Sequence, residues 1–596
     1  MRHVRASLFG LIVLLFSGRV LHAQSSSHEA LVSLAREVIY TQARLYPMQA
    51  TTLGIPGFDA QLETPSEAYR AAYVQSLRKW QEQLHAIVRS FNDSTSLTDR
   101  DDARLLDAQL TRPLNALLVY QLDRKDYAAP AESIVNAIFI QFTHLPTPEK
   151  GARQGDLARA WADITARLEK TPAYLDAAAR LATMPCHLFG VIGVKELAGA
   201  PDLLNGALTD AARSQLGSAS AAFARFSRAR DAAVAAIARV RAHVDAQLHS
   251  WPENYAMGRE AYDRMLREEQ LLPFDAADIE RMARDELAHG WAEEAWLASV
   301  SRRSGVPFGA ASGGGMAPAG PALIDYYRER IAELTRFVAQ ADLLTLPGWL
   351  GAIKVMETPA FMQPVSPGAS MDPPRLFASS TTGYYYITPP KSLADAAARL
   401  DMNEDFDRDR ILSTAAHEVM PGHFLQLSIA KRHPDFIRRI QDATAFIEGW
   451  AFYGEEMMVR LGLYGTDLDA RLDVARWERV RGARAIVDAK LARGEWSYDE
   501  AVDFFVAQTG FTRSDAEAGV GMIAEQAGYV IAYTVGRYQL ESLLAEYMLK
   551  MGARGSLHDF HDRLLSYGST PFAILGPELL ADLDKPAAQV RAAANY

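Results

Sequence analysis

The chain has 596 residues, is 49% hydrophobic and 23% charged, and carries a formal net charge of −11. An acidic balance excludes the basic face that nucleic acid requires. The single cysteine, Cys186, excludes an intrachain disulfide, so stability has to come from core size, which a chain of this length can supply.

Arg2 and Arg5 stand before an apolar run from Leu8 to Phe16, and Leu21-His22-Ala23 follows as a cleavage site. This layout predicts a secretory signal peptide over residues 1–23 and a periplasmic or secreted protein. The run is short for a membrane span, and a retained N-terminal anchor is the alternative. No cysteine follows the run to carry a lipid. No other apolar stretch has spanning length, so no stable membrane insertion is expected after cleavage. Cleavage removes Arg2, Arg5 and Arg19 and leaves 59 basic against 73 acidic residues.

Residues 24–596 read as a single, mostly α-helical domain, a large multi-helix body with a helical part to about 300 and a catalytic part from about 323. Ser218 to Gln247 reads as one long helix with Ser218 as N-cap, and Asp275 caps the next. Cys186, in Met184-Pro185-Cys186-His187-Leu188-Phe189, reads as a small core residue. Ser304 to Ala322 is rich in glycine and proline and reads as a loop placed to cover a cleft. Gly351 to Pro390 is the region with β character, with a short strand at Lys354–Glu357 and a better one at Gly383-Tyr384-Tyr385-Tyr386-Ile387-Thr388.

The chemistry concentrates in His417-Glu418-Val419-Met420-Pro421-Gly422-His423 and, further on, Phe446-Ile447-Glu448-Gly449-Trp450-Ala451. Two histidines and a carboxylate can hold one zinc ion with a position left open for water, and a free carboxylate can take the water's proton. His417, His423 and Glu448 are the candidate ligands and Glu418 the candidate base. Six residues along a straight helix would leave the second histidine about 120° from the first. Pro421 and Gly422 break that helix, so the distortion is expected to swing His423 back toward His417. A helix stop with two unconnected histidines is the alternative. Glu448 sits in an apolar helix-like run, where an unpaired carboxylate is costly. Glu455, two turns on, can accept from the outer nitrogen of a ligand histidine or face solvent.

His417 to Gln426 (HEVMPGHFLQ) and Glu448 to Glu455 (EGWAFYGE) resemble the two signatures of the DUF885 family of bacterial proteins, HEAYPGHHLQ and EGWALYAE. That family is similar to the gluzincin zinc peptidases. The resemblance implies a neurolysin- or angiotensin-converting-enzyme-like architecture with a small sheet whose edge strand lies beside the metal helix. It implies His417, His423 and Glu448 as ligands to one zinc ion and Glu418 as general base. It also implies that Tyr384, Tyr385 and Tyr386 bind substrate by adding a peptide to a sheet edge. An edge hairpin packed on the body is the alternative for that strand.

Beyond these signatures, Arg471 to Lys490 mixes arginines with acids and reads as a solvated face. Arg484-Ala485-Ile486-Val487-Asp488 matches a family pattern that carries a histidine where Ala492 stands here. Ala527 to Gly536 is similar to the family stretch PGQALAYKIG, with Tyr533 and Gly536 kept and Tyr529 in the place of the Gln. Tyr533 is the candidate donor to a developing oxyanion, with a core tyrosine as the alternative. Arg537, one turn on, is a candidate for a substrate carboxylate. His558 and His561 read as surface histidines. The expected function is zinc-dependent hydrolysis of short peptides. The alternatives are a zinc amidohydrolase on another amide or ester, and an inactive peptide-binding protein, against which an intact Glu418 argues.

Overall fold

The computed structural model describes residues 27–146, 153, 155–306, 308, 317–318, 322–358, 369–389, 408–465 and 467–596. The expected signal peptide and most of the glycine-rich loop lie outside the described residues. What is described is mostly helical, with one small three-stranded sheet. No described helix is long and apolar enough to cross a membrane.

Helix α1 covers residues 27–45 and α2 covers Leu97–Asn115, where Ser96 accepts from Asp99 N and caps the first turn. Helices α3 (Asp156–Ala179) and α4 (Ala221–Gln247) form the centre of the first half. The cap of α4 is Ser220, which accepts from Phe223 N at 3.0 Å, so the helix starts later than Ser218 suggested. Helix α5 (Ala276–Ser304) opens on the expected Asp275, with a reciprocal bond from Asp278 completing a capping box. Helix α6 spans Ala322–Gln340. Cys186 is fully buried, as a small core residue should be.

The strands are β1 (Ile353–Glu357), β2 (Ala369–Asp372) and β3 (Gly383–Ile387), in spatial order β1-β3-β2. β1 runs parallel to β3, from Ile353 opposite Gly383 to Glu357 opposite Ile387, and β2 runs antiparallel on the other side. The expected edge strand is therefore the central one. Both its main-chain edges are spent on neighbours, so Tyr384, Tyr385 and Tyr386 have no edge to offer a peptide. Their side chains are buried too. By the period of two, Tyr385 faces a core built from the second half, while Tyr384 and Tyr386 face the helices of the first half. β3 is thus a seam between two cores.

The second half carries α7 (Arg408–Glu418), α8 (His423–Lys431), α9 (Phe436–Arg439), α10 (Thr444–Arg460), α11 (Leu468–Ala492) and α12 (Ile531–Met551). Strand β2 packs against α7 and α8. Helix α11 does not present the expected solvated face. It lies in the interior against α5, with Glu478, Arg479, Arg481 and Asp488 all buried. Charges from neighbouring elements make this possible: Arg410 reaches Asp473 at 2.5 Å and Glu455 takes Arg481.

Candidate metal centre

The helix that begins at Arg408 ends at Glu418, and a new one begins at His423, with Gly422 as its N-cap. The break between them contains a cis Met420–Pro421 peptide. Trp450 Nε1 holds it from below by donating to Pro421 O at 2.8 Å. At Gly422 the chain doubles back so closely that an added Cβ would stand 1.7 Å from the carbonyl oxygen of His417. Only glycine permits that approach. The result is that the rings of His417 and His423 stand 4.6 Å apart, almost perpendicular at 83°.

The third group arrives through a second close approach. Helices α10 and α12 cross at Gly449 and Gly536, where a Cβ on Gly536 would lie 1.9 Å from Ala445 O. This crossing brings Glu448 up to the histidines and sets Tyr529 and Tyr533 beside it. Glu448 Oε2 lies 3.5 Å from His417 Nε2 and 3.4 Å from His423 Nε2. These separations are long for hydrogen bonds. They match the ~3.3 Å between ligand atoms placed tetrahedrally around zinc at 2.0–2.1 Å. Glu448 Oε2 is buried with no hydrogen-bond partner, and the three ligand atoms lie within 4.8 Å of one another. The donor set of two imidazoles and a carboxylate suits zinc. His417, His423 and Glu448 therefore fit a metal ion.

The outer groups form a connected line. Glu455 accepts from His417 Nδ1 at 2.6 Å, which leaves Nε2 with a free lone pair toward Glu448. Arg481 holds Glu455 with two bonds, at 2.6 and 2.9 Å, and lies over the Phe452 ring. Burial lowers the His417 pKa, but the carboxylates of Glu448, Glu455 and Glu418 around it outweigh it and push the imidazole up to about 10. Glu448 is held well below its ordinary value because the two histidines outweigh its burial. Both shifts describe a place that favours positive charge. Glu455→Gln is expected to weaken metal binding roughly 10–100-fold. Chelator competition measures this, and an unchanged affinity would remove the orienting role.

Glu418 stands next to His417, partly exposed, and takes no hydrogen bond among the described residues. Burial pushes its carboxyl up, against the pull of the two histidines. Tyr533 stacks on the His417 ring at 6.1 Å. Tyr529, which replaces the family's Gln, donates its hydroxyl to Glu448 Oε1 at 2.7 Å. That bond leaves Oε2 as the oxygen facing the histidines. Asp488, fully buried, receives Tyr262 OH at 2.8 Å and Gly528 N at 2.8 Å, and so fixes the turn that aims Tyr529.

Arg537 is not at the centre. Its guanidinium is buried among three carboxylates, with Glu286 at 2.6 Å, Glu456 at 2.7 Å and Glu478 at 3.2 Å. These carboxylates hold it away from the two histidines and Glu448. His561 is also not a surface residue: it is fully buried, against Leu343 O at 2.8 Å and Tyr453 OH at 3.0 Å. His558, partly exposed, bonds Asp342 at 2.7 Å. Arg481 escaped the sequence reading, which named Tyr529 and Arg484 only as parts of family-like stretches and gave them no role. Arg484 has no ion pair among the described residues, and Tyr533, Tyr529 and Glu448 are among the groups acting on it. The match of Arg484 to Asp488 with a family pattern was the signal that marked this stretch.

A helical body that folds two histidines and a glutamate together at a helix break defines a protein with a candidate metal centre at its heart. The particular family is DUF885, described as "Bacterial protein of unknown function", which the chain matches over residues 47–579 and to which it belongs. No curated protein matches it. Among solved structures it is similar to a candidate lipoprotein of unknown function from Shewanella oneidensis, with 20% identity, a TM-score of 0.71, and coverage of 92% of this chain and 99% of that one. A candidate lipoprotein from Colwellia psychrerythraea has 18% identity, a TM-score of 0.76, and coverage of 94% and 99%. At these identities the likeness is one of fold.

Proposed function

We propose that the protein is a zinc-dependent hydrolase of gluzincin type that cleaves short peptides outside the cytoplasm. The observation that carries this reading is Glu448 Oε2, buried and unpartnered, facing the Nε2 atoms of His417 and His423 with Glu418 adjoining. Zinc bound there would polarise a scissile carbonyl and acidify a water molecule. Glu418 would take the proton of the attacking water and hand it to the leaving amine. Tyr533 would donate to the oxygen on which charge develops, since burial keeps its phenol protonated. Arg484 would take the substrate-carboxylate role that Arg537 cannot fill. The location rests on the charged, apolar and small-residue layout of residues 1–23 and on the candidate lipoprotein character of both structural neighbours.

The test is metal content of the purified protein beside His423→Ala, followed by a screen of short peptides. The variant is expected to lose one equivalent of zinc and all peptide hydrolysis. A wild type that takes up no zinc at this centre after incubation with the metal would end the proposal.

A further inference from the structure

A second group of metal-ligating side chains lies away from this centre, where α1, α2 and α9 meet. His28 on α1 faces Asp99 and Asp102 on α2 and Asp435, the N-cap of α9. His28 Nε2 is 3.2 Å from Asp435 Oδ2, and His28 Nδ1 is 3.4 Å from Asp99 Oδ1 and 3.9 Å from Asp102 Oδ2. One ligand atom each from His28, Asp102 and Asp435 falls within 4.8 Å of the others. Ligand pairs around one cation stand about 3–5 Å apart at metal–ligand distances of about 2.0–2.6 Å.

The oxygens around His28 are oriented but not satisfied. Asp102 is fully buried, and its Oδ1 accepts from Arg438 Nε at 2.6 Å. Its Oδ2 points toward His28 with no hydrogen-bond partner. The other two nitrogens of Arg438 hold Glu578 at 2.8 and 3.0 Å. Asp435 spends Oδ1 on the first N–H groups of α9 and leaves Oδ2 toward His28. Asp101, next in sequence, is taken by Arg104 at 2.9 Å. Three carboxylates, one of them wholly inside the protein, thus face a single imidazole and half an arginine. A buried anionic oxygen without a partner is costly, and a divalent cation is the group that relieves it.

We propose that His28, Asp102 and Asp435 form a second, structural site for a divalent transition cation that ties α1 to the catalytic half. One imidazole with carboxylates is a donor set for Mn²⁺ or Zn²⁺. One ring nitrogen of His28 takes the ion and the other is left for a carboxylate, with Asp99 in position to hold it. Asp435 follows helix α8 by only a few residues, so the ion would pin α1 to the segment that carries His423.

The test is Mn²⁺ binding to the full chain, followed by the loss of the free-ion electron paramagnetic resonance signal. No zinc is added, because zinc suits this donor set as well and would mask it. Wild type and His423→Ala are both expected to bind Mn²⁺ tightly at this site. His28→Gln and Asp435→Asn are expected to lose it, with affinity falling roughly a hundredfold. Asn at 435 keeps the helix cap, and His28 is 39% exposed, so neither variant should unfold the protein. Mn²⁺ is also expected to raise the melting temperature of wild type and not of His28→Gln. Equal Mn²⁺ binding by wild type and both variants, or none by any, would overturn the site and leave His28 as a plain neighbour of the carboxylates. His423→Ala separates this result from any failure of the catalytic reading.

Discussion

Glu418→Gln is expected to keep the full metal content and to lose peptide hydrolysis by a factor of about 10²–10⁴, the range a positioned general base supplies. The geometry separates the two readouts. Glu418 belongs to the last turn of α7, beside His417, but the candidate ligand atoms come from His417, His423 and Glu448. Removing its negative charge removes the proton acceptor and leaves the ligand set intact. Gln is nearly the same size, so packing at the end of α7 should be undisturbed. Zinc analysis and hydrolysis of the same preparation check this directly. Full activity in Glu418→Gln would move the base elsewhere, and loss of metal would make Glu418 a ligand or its support.

Gly422→Ala is expected to abolish metal binding and to destabilise the fold by at least about 4 kcal/mol, at the extreme of single substitutions. A methyl group at this position would sit 1.7 Å from His417 O and 2.5 Å from Ala416 O. Neither atom can retreat, because both belong to the backbone of the helix that presents His417. The chain would have to open the break and carry His423 away from Glu448. Gly454→Ala is the control. It lies on α10 near the same break, but its Cβ would meet only ordinary contacts at 3.6 and 3.8 Å. Thermal melting and zinc content of the pair are the measurement, and a Gly422→Ala protein that melts and binds zinc like Gly454→Ala would refute the account of the helix break.

The approach of His423 to His417 was legible in the chain because it is local. Histidines six positions apart, with Pro421 and Gly422 between them, announce a broken helix, and a carboxylate in an apolar helix announces a partner. Glu455 was legible for the same reason, by its spacing from Glu448. Arg537 was misread because its partners Glu286, Glu456 and Glu478 arrive from three helices far apart in sequence. Strand β3 was read as an edge because pairing is nonlocal: its parallel neighbour β1 lies 30 residues upstream, and nothing within Gly383–Ile387 records it. The interior position of α11 escaped because mixed charge resembles a wet surface until the partners of Arg481 and Asp473 are known. The role of Tyr529 escaped because a phenol beside a buried carboxylate has no spacing rule.

The seam at β3 has a consequence for how the chain is made. Tyr384 and Tyr386 complete the core that α3 and α4 begin, and each aromatic ring covers about 150–250 Å². Roughly 140 residues separate the end of α4 from that strand, which at 5–20 residues per second is roughly 7–30 s of translation. Through that interval the first half has its helices but lacks the two rings that close it. The nascent chain therefore carries an unfinished apolar floor until the middle of the protein has been translated, and the first core can be sealed only as the second starts to form.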